Sequence, residues 1–470
     1  MKALPLGQVA QAAQAVPNEA AEEIGLEVGV SGVAVDSRTI QAGDLFVAVA
    51  GERVDGHDFA RAAVEAGAVA VLTSRDVDGI ACLVTDDPVT ALGRLAHWYR
   101  KNEITATVIA VTGSSGKTTT KDLVADVLPG AVVAAQGSFN TEVGVPLTIL
   151  QADSSTEFLV LEMGMRGLGH IQYLAEMAEP DIGVVLNVGL AHVGMMDRPE
   201  SIAEAKSELV RYLPPDAIAV LNVDDPSVRR MAEVVDAHIV WFGEGSSAHV
   251  RAEDVHVDES GRPNFELSVD GDQSTRVSLH FHGEHFVHAA LAAAAVASAC
   301  GMSVADIGRA LELARPRSRW RMDVRTSPAG VTVINDAYNA NPDSVRAALK
   351  TLRAMGGSGR TWAVLGEMLE LGEMSRDEHD AIGRLAVRLD ISRLVCVGPG
   401  TRVMHLAASN EGSWADESVW VADPEAAIEL LDRELVAGDT VLVKASRAVG
   451  LEVVSDHLLS ESSLEVGDRR

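Results

Sequence analysis

The sequence predicts an α/β protein of three domains with a P-loop-type parallel sheet in the central one. The chain has 470 residues, about three times the length of a common single domain. Apolar runs of strand length alternate with Ala-, Leu- and Glu-rich helical stretches, which is typical of parallel α/β folds. Near residue 110, an apolar strand leads through a Gly/Ser turn into a helix, which indicates a phosphate-binding sheet.

The first predicted domain covers residues 1–104. Short strands, such as 44–49 (DLFVAV) and 69–72, alternate there with helical pieces such as 59–66. This pattern predicts a small α/β domain.

The second predicted domain covers residues 105–315. Its apolar runs predict parallel strands at 106–112, 157–163, 181–188 and 217–223. Residues 245–282 alternate polar and apolar positions, which predicts an added β segment. Residues 283–300 return to helix, and their alanine-rich run is shorter than the ~20 residues of a bilayer span. We therefore expect a buried helix there.

The third predicted domain covers residues 316–470 and resembles a Rossmann-like unit in its strand pattern. The Arg-rich stretch 315–321 (RPRSRWR) predicts the linker into it, and the polar tail predicts a frayed end. Parallel strands are expected at 361–367, 393–398, 418–423 and 439–446.

Composition narrows the classes of function. There are 39 Lys and Arg against 68 Asp and Glu, a formal net charge of −29, which disfavours binding to nucleic acid or to anionic membranes. An anionic ligand would need a pocket of opposite local charge. The three cysteines are far apart and form no metal or disulfide pattern. The first residues lack the features of a signal peptide, so we expect a soluble cytoplasmic protein without membrane insertion.

The strongest local motif is VIAVTGSSGKTTTKDLV at 108–124. Glycines let backbone N–H groups surround phosphate oxygens at a helix N-terminus, a lysine reaches the β- and γ-phosphates, and a threonine hydroxyl can bind Mg²⁺. The strict P-loop pattern has glycine where this chain has Val111, so the loop is a variant. The alternative is an ordinary Gly/Ser turn. The candidate loop residues are Gly113, Ser114, Ser115, Gly116, Lys117, Thr118 and Thr119.

Polar residues follow the next predicted strands of the same domain. Glu162 ends an apolar run, where an open parallel sheet presents ligand-binding groups; it could hold Mg²⁺ or cap a neighbouring helix. Asn187 and His192 follow the next strand, and His192 is either a cation ligand or a hydrogen-bonded core residue. Lys206 lies in a helical pattern between glutamates, which by itself predicts a solvated helix face.

Five strings occur in order along the second and third sections of the chain. They are TGSSGKTTTK, LEMGM (161–165), NVGLAHVG (187–194), AEAKSEL (203–209) and NDAYNANPDS (335–344). These strings resemble motifs of the Mur ligase family, and residues 36–68 resemble the uridine-nucleotide domain of that family. A chance match through all three sections is implausible.

The resemblance implies an ATP-dependent amide ligase. The strings at 335–344, 364–372 and 441–447 are similar to the member that joins D-alanyl-D-alanine to UDP-N-acetylmuramoyl-tripeptide. ATP would phosphorylate the tripeptide carboxylate, and the dipeptide amine would attack the acyl phosphate. Metal ions and lysine would spread the charge of the meeting anions. We expect a monomer that uses ATP, Mg²⁺ and these two substrates, in peptidoglycan synthesis.

The resemblance also assigns roles to residues. Lys117, Glu162, His192 and Lys206 are the implied catalytic set. Thr118, Glu162, His192 and Lys206 are the implied metal ligands, with Lys206 carbamylated, which requires a neutral amine. The implied nucleotide contacts beyond the loop are Asn187, Arg321, Asn335, Asp336, Tyr338 and Asn339, although the third-domain cluster could instead be an Asn/Asp-rich turn with a structural tyrosine.

Substrate contacts complete the set. Ser37 and Arg38 suit the uridine diphosphate, because a hydroxyl and a guanidinium bind phosphate oxygens. Asn140 and Thr141 are implied contacts of the muramoyl peptide. Lys444, Ser446 and Arg447 would meet the dipeptide carboxylate or the acceptor.

One position departs from the family. Ala289 stands where relatives carry an asparagine that would contact the nucleotide. Either His285 or His288 makes that contact instead, or both histidines face solvent.

Two rival functions stay open: another amide ligase of this architecture that adds a single amino acid, and a P-loop nucleotide switch.

Overall fold

A computed structural model of the protein describes residues 1–51, 54–189, 199–271, 273–412 and 417–460. It contains three main sheets and a small pair of strands. The prediction of an α/β fold is confirmed.

The first 103 residues contain the first sheet, in the order β2-β7-β6-β5-β4, with β2 antiparallel and the rest parallel. β1 pairs only with β3. The strands are β1 (Leu4–Pro5), β2 (Val16–Pro17), β3 (Gly29–Val30), β4 (Gly32–Ala34), β5 (Asp44–Val47), β6 (Ala70–Thr73) and β7 (Cys82–Val84). The helices are α1 (Leu6–Ala13), α2 (Glu19–Ile24), α3 (Ala60–Glu65) and α4 (Pro88–Glu103).

The central sheet has nine strands in the order β16-β15-β14-β13-β12-β11-β8-β10-β9. The strands are β8 (Thr107–Thr112), β9 (Val132–Ala134), β10 (Phe158–Glu162), β11 (Ile182–Val185), β12 (Ile218–Asn222), β13 (His238–Gly243), β14 (Val250–Val257), β15 (Pro263–Val269) and β16 (Gln273–Ser278). The helices are α5 (Lys117–Val127), α6 (Gly144–Ile149), α7 (His170–Ala178), α8 (Pro199–Tyr212), α9 (Pro226–Met231), α10 (Phe286–Ala299) and α11 (Val304–Leu313). Strands β8 to β14 are parallel, and β15 and β16 extend them antiparallel, which confirms the predicted β segment.

Buried apolar side chains explain why β8 and β10 lie inside this sheet. All residues of β8 from Val108 to Thr112 are buried, as are those of β10 from Leu159 to Glu162. Parallel strands covered by helices on both faces have this continuous pattern. The sheet therefore brings the ends of β8, β10 and β11 together at one edge.

The predicted buried helix is α10, whose residues from Ala289 to Ala297 are all buried. It packs against α5, α11 and strands β12 to β14. Apolar residues around its whole circumference fit a helix with no solvent face.

The third sheet has six strands in the order β17-β18-β22-β19-β20-β21, parallel except for β17. The strands are β17 (Asp323–Thr326), β18 (Thr332–Asn335), β19 (Thr361–Leu365), β20 (Arg393–Val397), β21 (Ser418–Val421) and β22 (Thr440–Lys444). The helices are α12 (Pro342–Met355), α13 (Ser375–Arg388), α14 (Arg402–Glu411), α15 (Pro424–Glu434) and α16 (Glu452–Leu459).

The predicted domain limits at 104 and 315 stay a prediction, since α4 packs against α1 on one side and against α6 and α7 on the other. The predicted strand 181–188 was too long: β11 ends at Val185, because Asn187 turns away to bind the phosphate loop. The sequence reasoning also omitted β17.

Candidate active site

The phosphate loop connects the end of β8 to the start of α5. Gly116 has a φ of 79°, in the left-handed region that glycine adopts without strain. At Gly113, an added Cβ would lie 2.9 Å from the Cβ of Leu186, so a larger residue would clash. No side-chain cap covers the first turn of α5. The loop can therefore present the positive end of a helix to an anion.

Asn187 supports the loop from the neighbouring strand. Its Oδ1 accepts hydrogen bonds from the backbone N–H groups of Ser114 and Ser115, each at 3.0 Å. Its Nδ2 donates to the carbonyl of Ser115 at 3.2 Å. Asn187 thus fixes the loop conformation in addition to lining the cavity beside it.

Glu162 lies at the centre of a chain of hydrogen bonds. Its Oε2 accepts from the Thr118 hydroxyl at 2.7 Å, and its Oε1 accepts from Asn140 Nδ2 at 2.6 Å. Lys117 Nζ donates to the carbonyl of Gly113 at 2.8 Å. These contacts place a buried carboxylate and a hydroxyl side by side under the loop.

The linker brings Arg321 to the same point. Arg321 Nη2 donates to Thr118 Oγ1 at 2.8 Å, and its guanidinium lies 4.0 Å from the centre of the Tyr338 ring. The Tyr338 hydroxyl in turn contacts the hydroxyl of Ser138. Arg321 of the linker and Tyr338, in the loop after β18, therefore contact the central domain together.

Lys444 organises the polar cluster of the third sheet. Its Nζ donates to Asp336 Oδ2 at 2.6 Å and to the carbonyl of Asn339 at 2.8 Å. Ser446 Oγ donates to the carbonyl of Ala340 at 3.3 Å. The Lys444 ammonium is thus hydrogen-bonded to groups of the protein itself, although the residue also lines the cavity.

Lys206 is buried on α8 with only 1% of its surface exposed. Its helical pattern alone suggested a solvated face, and that interpretation is wrong, because the amine lies inside the domain. Burial, with a smaller contribution from the charge of Lys117, holds the pKa of Lys206 well below its ordinary value. Burial also lowers the pKa of Lys117.

A cavity of about 930 Å³ separates the central and third domains. Its walls are the phosphate loop, the C-terminal edge of the central sheet, the start of α10 and the linker. Sixteen predicted site residues line it: Ser114, Ser115, Gly116, Lys117, Thr118, Thr119, Asn140, Glu162, Asn187, Arg321, Asp336, Tyr338, Asn339, Lys444, Ser446 and Arg447. Cations of the loop, linker and third domain thus meet in one space, within an acidic protein.

The wall of the cavity around α10 carries the two histidines near Ala289. His288 Nε2 lies 3.3 Å from Asp224 Oδ2. The ring of His285 is accessible from the cavity, yet the surrounding protein dehydrates it and lowers its pKa to about 4. Both histidines line the cavity together with Ala289, and both also reach solvent, since His285 is exposed and 39% of the His288 side chain is exposed. The predicted alternatives, a nucleotide contact or a solvent-facing position, therefore both stay open.

Other predicted residues lie elsewhere. Ser37 and Arg38 form a short turn in the first domain, where the Arg38 side chain is 87% exposed and pairs with Asp36 at 2.7 Å. Thr141 Oγ1 accepts a weak 3.4 Å hydrogen bond from the N–H of Gly144. Their predicted substrate roles stay predictions.

Two further predictions concern the edges of the site. Asn335 is the buried last residue of β18, and its Oδ1 accepts from the N–H of Ala337 at 3.3 Å. His192 lies outside the described residues. Their predicted roles stay predictions.

Sequence reasoning missed the acidic residues after β12. Asp224 and Asp225 line the cavity, and Asp225 Oδ2 accepts from the N–H of Val188 at 2.8 Å. The signal was available, since both residues follow an apolar strand of the same parallel sheet. Asn222, Phe242 and Asp343 are further lining residues that were not predicted.

Among the helices of the described ranges, none is long and apolar enough to cross a bilayer. In the same part of the chain, no three His, Cys, Asp or Glu side chains cluster in a way that could hold a metal ion.

Three family models match the chain in order. Residues 29–95 match the Mur ligase family catalytic domain, residues 111–297 the Mur ligase middle domain, and residues 320–447 the Mur ligase glutamate ligase domain.

Curated and solved relatives agree with these matches. The chain is 46% identical to the UDP-N-acetylmuramoyl-tripeptide--D-alanyl-D-alanine ligase of Mycobacterium leprae, over 95% of this chain and 96% of the relative. A crystal structure of MurF from Acinetobacter baumannii superposes with a TM-score of 0.88 at 30% identity, covering 98% of this chain and 99% of that one. MurF from Thermotoga maritima, solved in complex with ADP, gives 0.79 at 30% identity, covering 94% and 99%. The chain belongs to the Mur ligase family.

Proposed function

We propose that this protein is an ATP-dependent ligase that joins D-alanyl-D-alanine to UDP-N-acetylmuramoyl-tripeptide. The observation that carries the proposal is the 46% identity to a ligase of that name over 95% of the chain. A cavity beside the phosphate loop supports it, because Lys117 and Arg321 line it next to the loop and two anionic substrates must meet there.

In the first step, the γ-phosphoryl group of ATP transfers to the terminal carboxylate of the tripeptide. The bond to the leaving ADP oxygen breaks as the new P–O bond forms. Lys117, at the start of α5, supplies a donor to the phosphates, and the uncapped first turn of the helix faces the same charge. The MurF relative solved with ADP supports ATP as the phosphoryl donor.

In the second step, the dipeptide amine attacks the acyl carbon. A C–N bond forms, phosphate leaves with the former acyl oxygen, and the amine loses a proton. The cavity between the two domains excludes water from the acyl phosphate when they close over it. Asn140, Lys444, Ser446 and Arg447 are the candidates to orient the acceptor and the dipeptide, since all four line this space.

The donor chemistry around Thr118 fits a hard divalent cation. A hydroxyl and a carboxylate lie 2.7 Å apart there, and Mg²⁺ prefers oxygen ligands. We propose that Thr118, Glu162 and a carbamylated Lys206, with His192, hold Mg²⁺. When bound, the cation would neutralise charge on the phosphates.

Carbamylation is supported by the state of Lys206. Its lowered pKa favours the neutral amine, whose nitrogen can attack CO₂. An N–C bond forms, one proton leaves, and the product is a carboxylate. The buried amine would thereby become an anionic oxygen ligand.

The uridine diphosphate is assigned to the first domain. Arg38 is exposed, and its ion pair with Asp36 holds the pKa of that carboxyl at about 2. A diphosphate would displace the Asp36 carboxylate from the Arg38 guanidinium, and the Ser37 hydroxyl would donate a hydrogen bond to it.

Phosphate release from ATP tests the proposed function. ATP and Mg²⁺ are present in every reaction, and UDP-N-acetylmuramoyl-tripeptide and D-alanyl-D-alanine are added either one at a time or both together. The products are identified by mass spectrometry. We expect release only with both, together with a UDP-linked pentapeptide. Preference for a single amino acid would indicate a different ligase, and release with neither substrate would indicate a nucleotide switch.

A further inference from the structure

The linker lies along α5 with one contact for each helical turn. The three helix residues are four positions apart and share one face. Two of the contacts are hydrogen bonds, at 2.6 Å for the second pair and 2.8 Å for the third. The pairs are Arg317 with Asp126, Ser318 with Asp122, and Arg321 with Thr118.

The first two contacts are anchors on the central domain. Asp122 is buried and also pairs with Lys121 at 2.5 Å. Asp126, one turn further along α5, has only 9% of its side chain exposed. Asp126 holds Arg317 firmly, because breaking that ion pair would leave a buried charge without its partner.

After Ser318, the linker is attached to the third domain. The Trp320 ring lies 4.4 Å from the guanidinium of Arg447. The N–H of Met322 donates to Asp336 Oδ1 at 3.1 Å. The linker therefore changes from contacts with the central domain to contacts with the third domain between Ser318 and Trp320, which is where a pivot between the two domains would lie.

The backbone on both sides of Arg321 is strained. Trp320 has a φ of 60° and Met322 a φ of 50°, in the left-handed region that large side chains rarely adopt. Such strain persists only where surrounding contacts hold it, and it concentrates at functional sites. The position of Arg321 is thus imposed by its contacts.

The guanidinium of Arg321 lies on one of the oxygens proposed to hold the metal, the hydroxyl of Thr118. Thr118 Oγ1 accepts from Arg321 and donates to Glu162, whose second oxygen is bonded to Asn140. The Arg321 Nε–H is buried without a hydrogen-bond partner among the described residues. A permanent cation thus lies against the hydroxyl and near the carboxylate, with one donor unused.

We propose that Arg321 is a cation-mimicking latch, which occupies the divalent-cation position of the nucleotide-free protein and holds the third domain against the phosphate loop. Entry of the cation requires the guanidinium to leave Thr118. Arg321 then moves about the pivot after Ser318, while the anchors on Asp122 and Asp126 stay in place. The identity of the cation rests on the proposed function.

Mn²⁺ binding to the nucleotide-free protein, measured by electron paramagnetic resonance, tests the latch. The site-specific signal is the part that Glu162→Gln removes. We expect Arg321→Gln to bind Mn²⁺ at least about fivefold more tightly than the wild type. Arg325→Gln is the matched control, because that arginine lies on β17 with 61% of its side chain exposed, and it should bind as the wild type does.

Arg321→Lys separates occupation of the site from simple repulsion between charges. A lysine keeps the charge but lacks the planar fork that reaches Thr118. Tighter Mn²⁺ binding than the wild type supports the latch, and wild-type affinity contradicts it. Equal or weaker binding by Arg321→Gln would also overturn it, provided that circular dichroism shows a folded protein.

Small-angle scattering provides a second measurement on the nucleotide-free protein. Arg321→Gln should have a larger radius of gyration than the wild type, because the third domain is released from Thr118. An unchanged radius contradicts the latch. Neither measurement uses the ligase substrates, so the two proposals can fail separately. If the wild type shows no ligase activity but Arg321→Gln binds Mn²⁺ more tightly than the wild type, the proposed reaction is rejected and the latch is supported.

Discussion

Lys206 in the central domain and Lys444 in the third are almost equally buried, at 1% and 2% exposure, but their surroundings differ. Lys444 pairs with Asp336 at 2.6 Å. Lys206 has no ion pair with a described residue, and burial lowers its pKa. An unpaired buried amine opposes folding unless it becomes neutral. The comparison indicates that the Lys444 ion pair contributes to stability, whereas the buried amine of Lys206 does not, which fits the chemical role proposed for it.

The largest expected effect is the loss of activity in Lys206→Met, which keeps most of the side-chain volume. Removing the proposed metal ligand should lower the ligase rate by more than about 100-fold. The free energy of unfolding should not fall, because no favourable ion pair is lost. Rates are measured by phosphate release and stability by urea unfolding.

Lys350→Met is the matched control for that variant, because Lys350 is exposed on α12, and its rate should equal that of the wild type. Removing CO₂ from the buffer should slow the wild-type enzyme, and bicarbonate should restore it. A rate that does not respond to CO₂ removal, in an enzyme shown by mass to be unmodified, would contradict carbamylation.

The next effect concerns stability. Lys444→Met leaves the Asp336 carboxylate without its cation, and only 14% of that side chain is exposed. Breaking a buried pair costs about 3–5 kcal/mol, so we expect a loss of that size in guanidinium unfolding. Adding Asp336→Asn to the same chain should recover part of it. A stable single variant would show that the ion pair contributes little.

The smallest effect is a pKa change in His285. Dehydration of the ring by the surrounding protein lowers this pKa to about 4, the charge of Asp336 opposes that shift, and the charge of Lys444 adds to it. NMR titration should find that value in the wild type and a higher one in Lys444→Met. Between pH 6.5 and 4 the His285 ring is protonated in the unfolded chain but neutral in the folded protein. This difference lowers the free energy of unfolding as the pH falls from 6.5 to 4. An unchanged pKa in the variant would mean that Lys444 does not act on the ring.

Local patterns predicted most strands and the phosphate loop, because each depends on adjacent residues. Lys206 shows the limit. Its helix has polar residues nearby, and only the packing of α8 against the sheet determines that the amine points inward. The support of Ser114 and Ser115 by Asn187 joins residues more than 70 positions apart, and no spacing rule predicts such a contact. Asp224 was predictable from its strand end but was overlooked.

The alanine run of α10 acts as a spacer. The helix fills the gap between α5 and the central sheet, so the size of its side chains sets the width of that layer. The same helix begins at Phe286 on the cavity wall, beside His285. A bulkier residue near Ala293 would shift the whole helix as a rigid rod and change the width of the cavity between the central and third domains. The dimensions of the candidate active site are therefore determined partly by core residues, such as Ala293, that do not line the cavity.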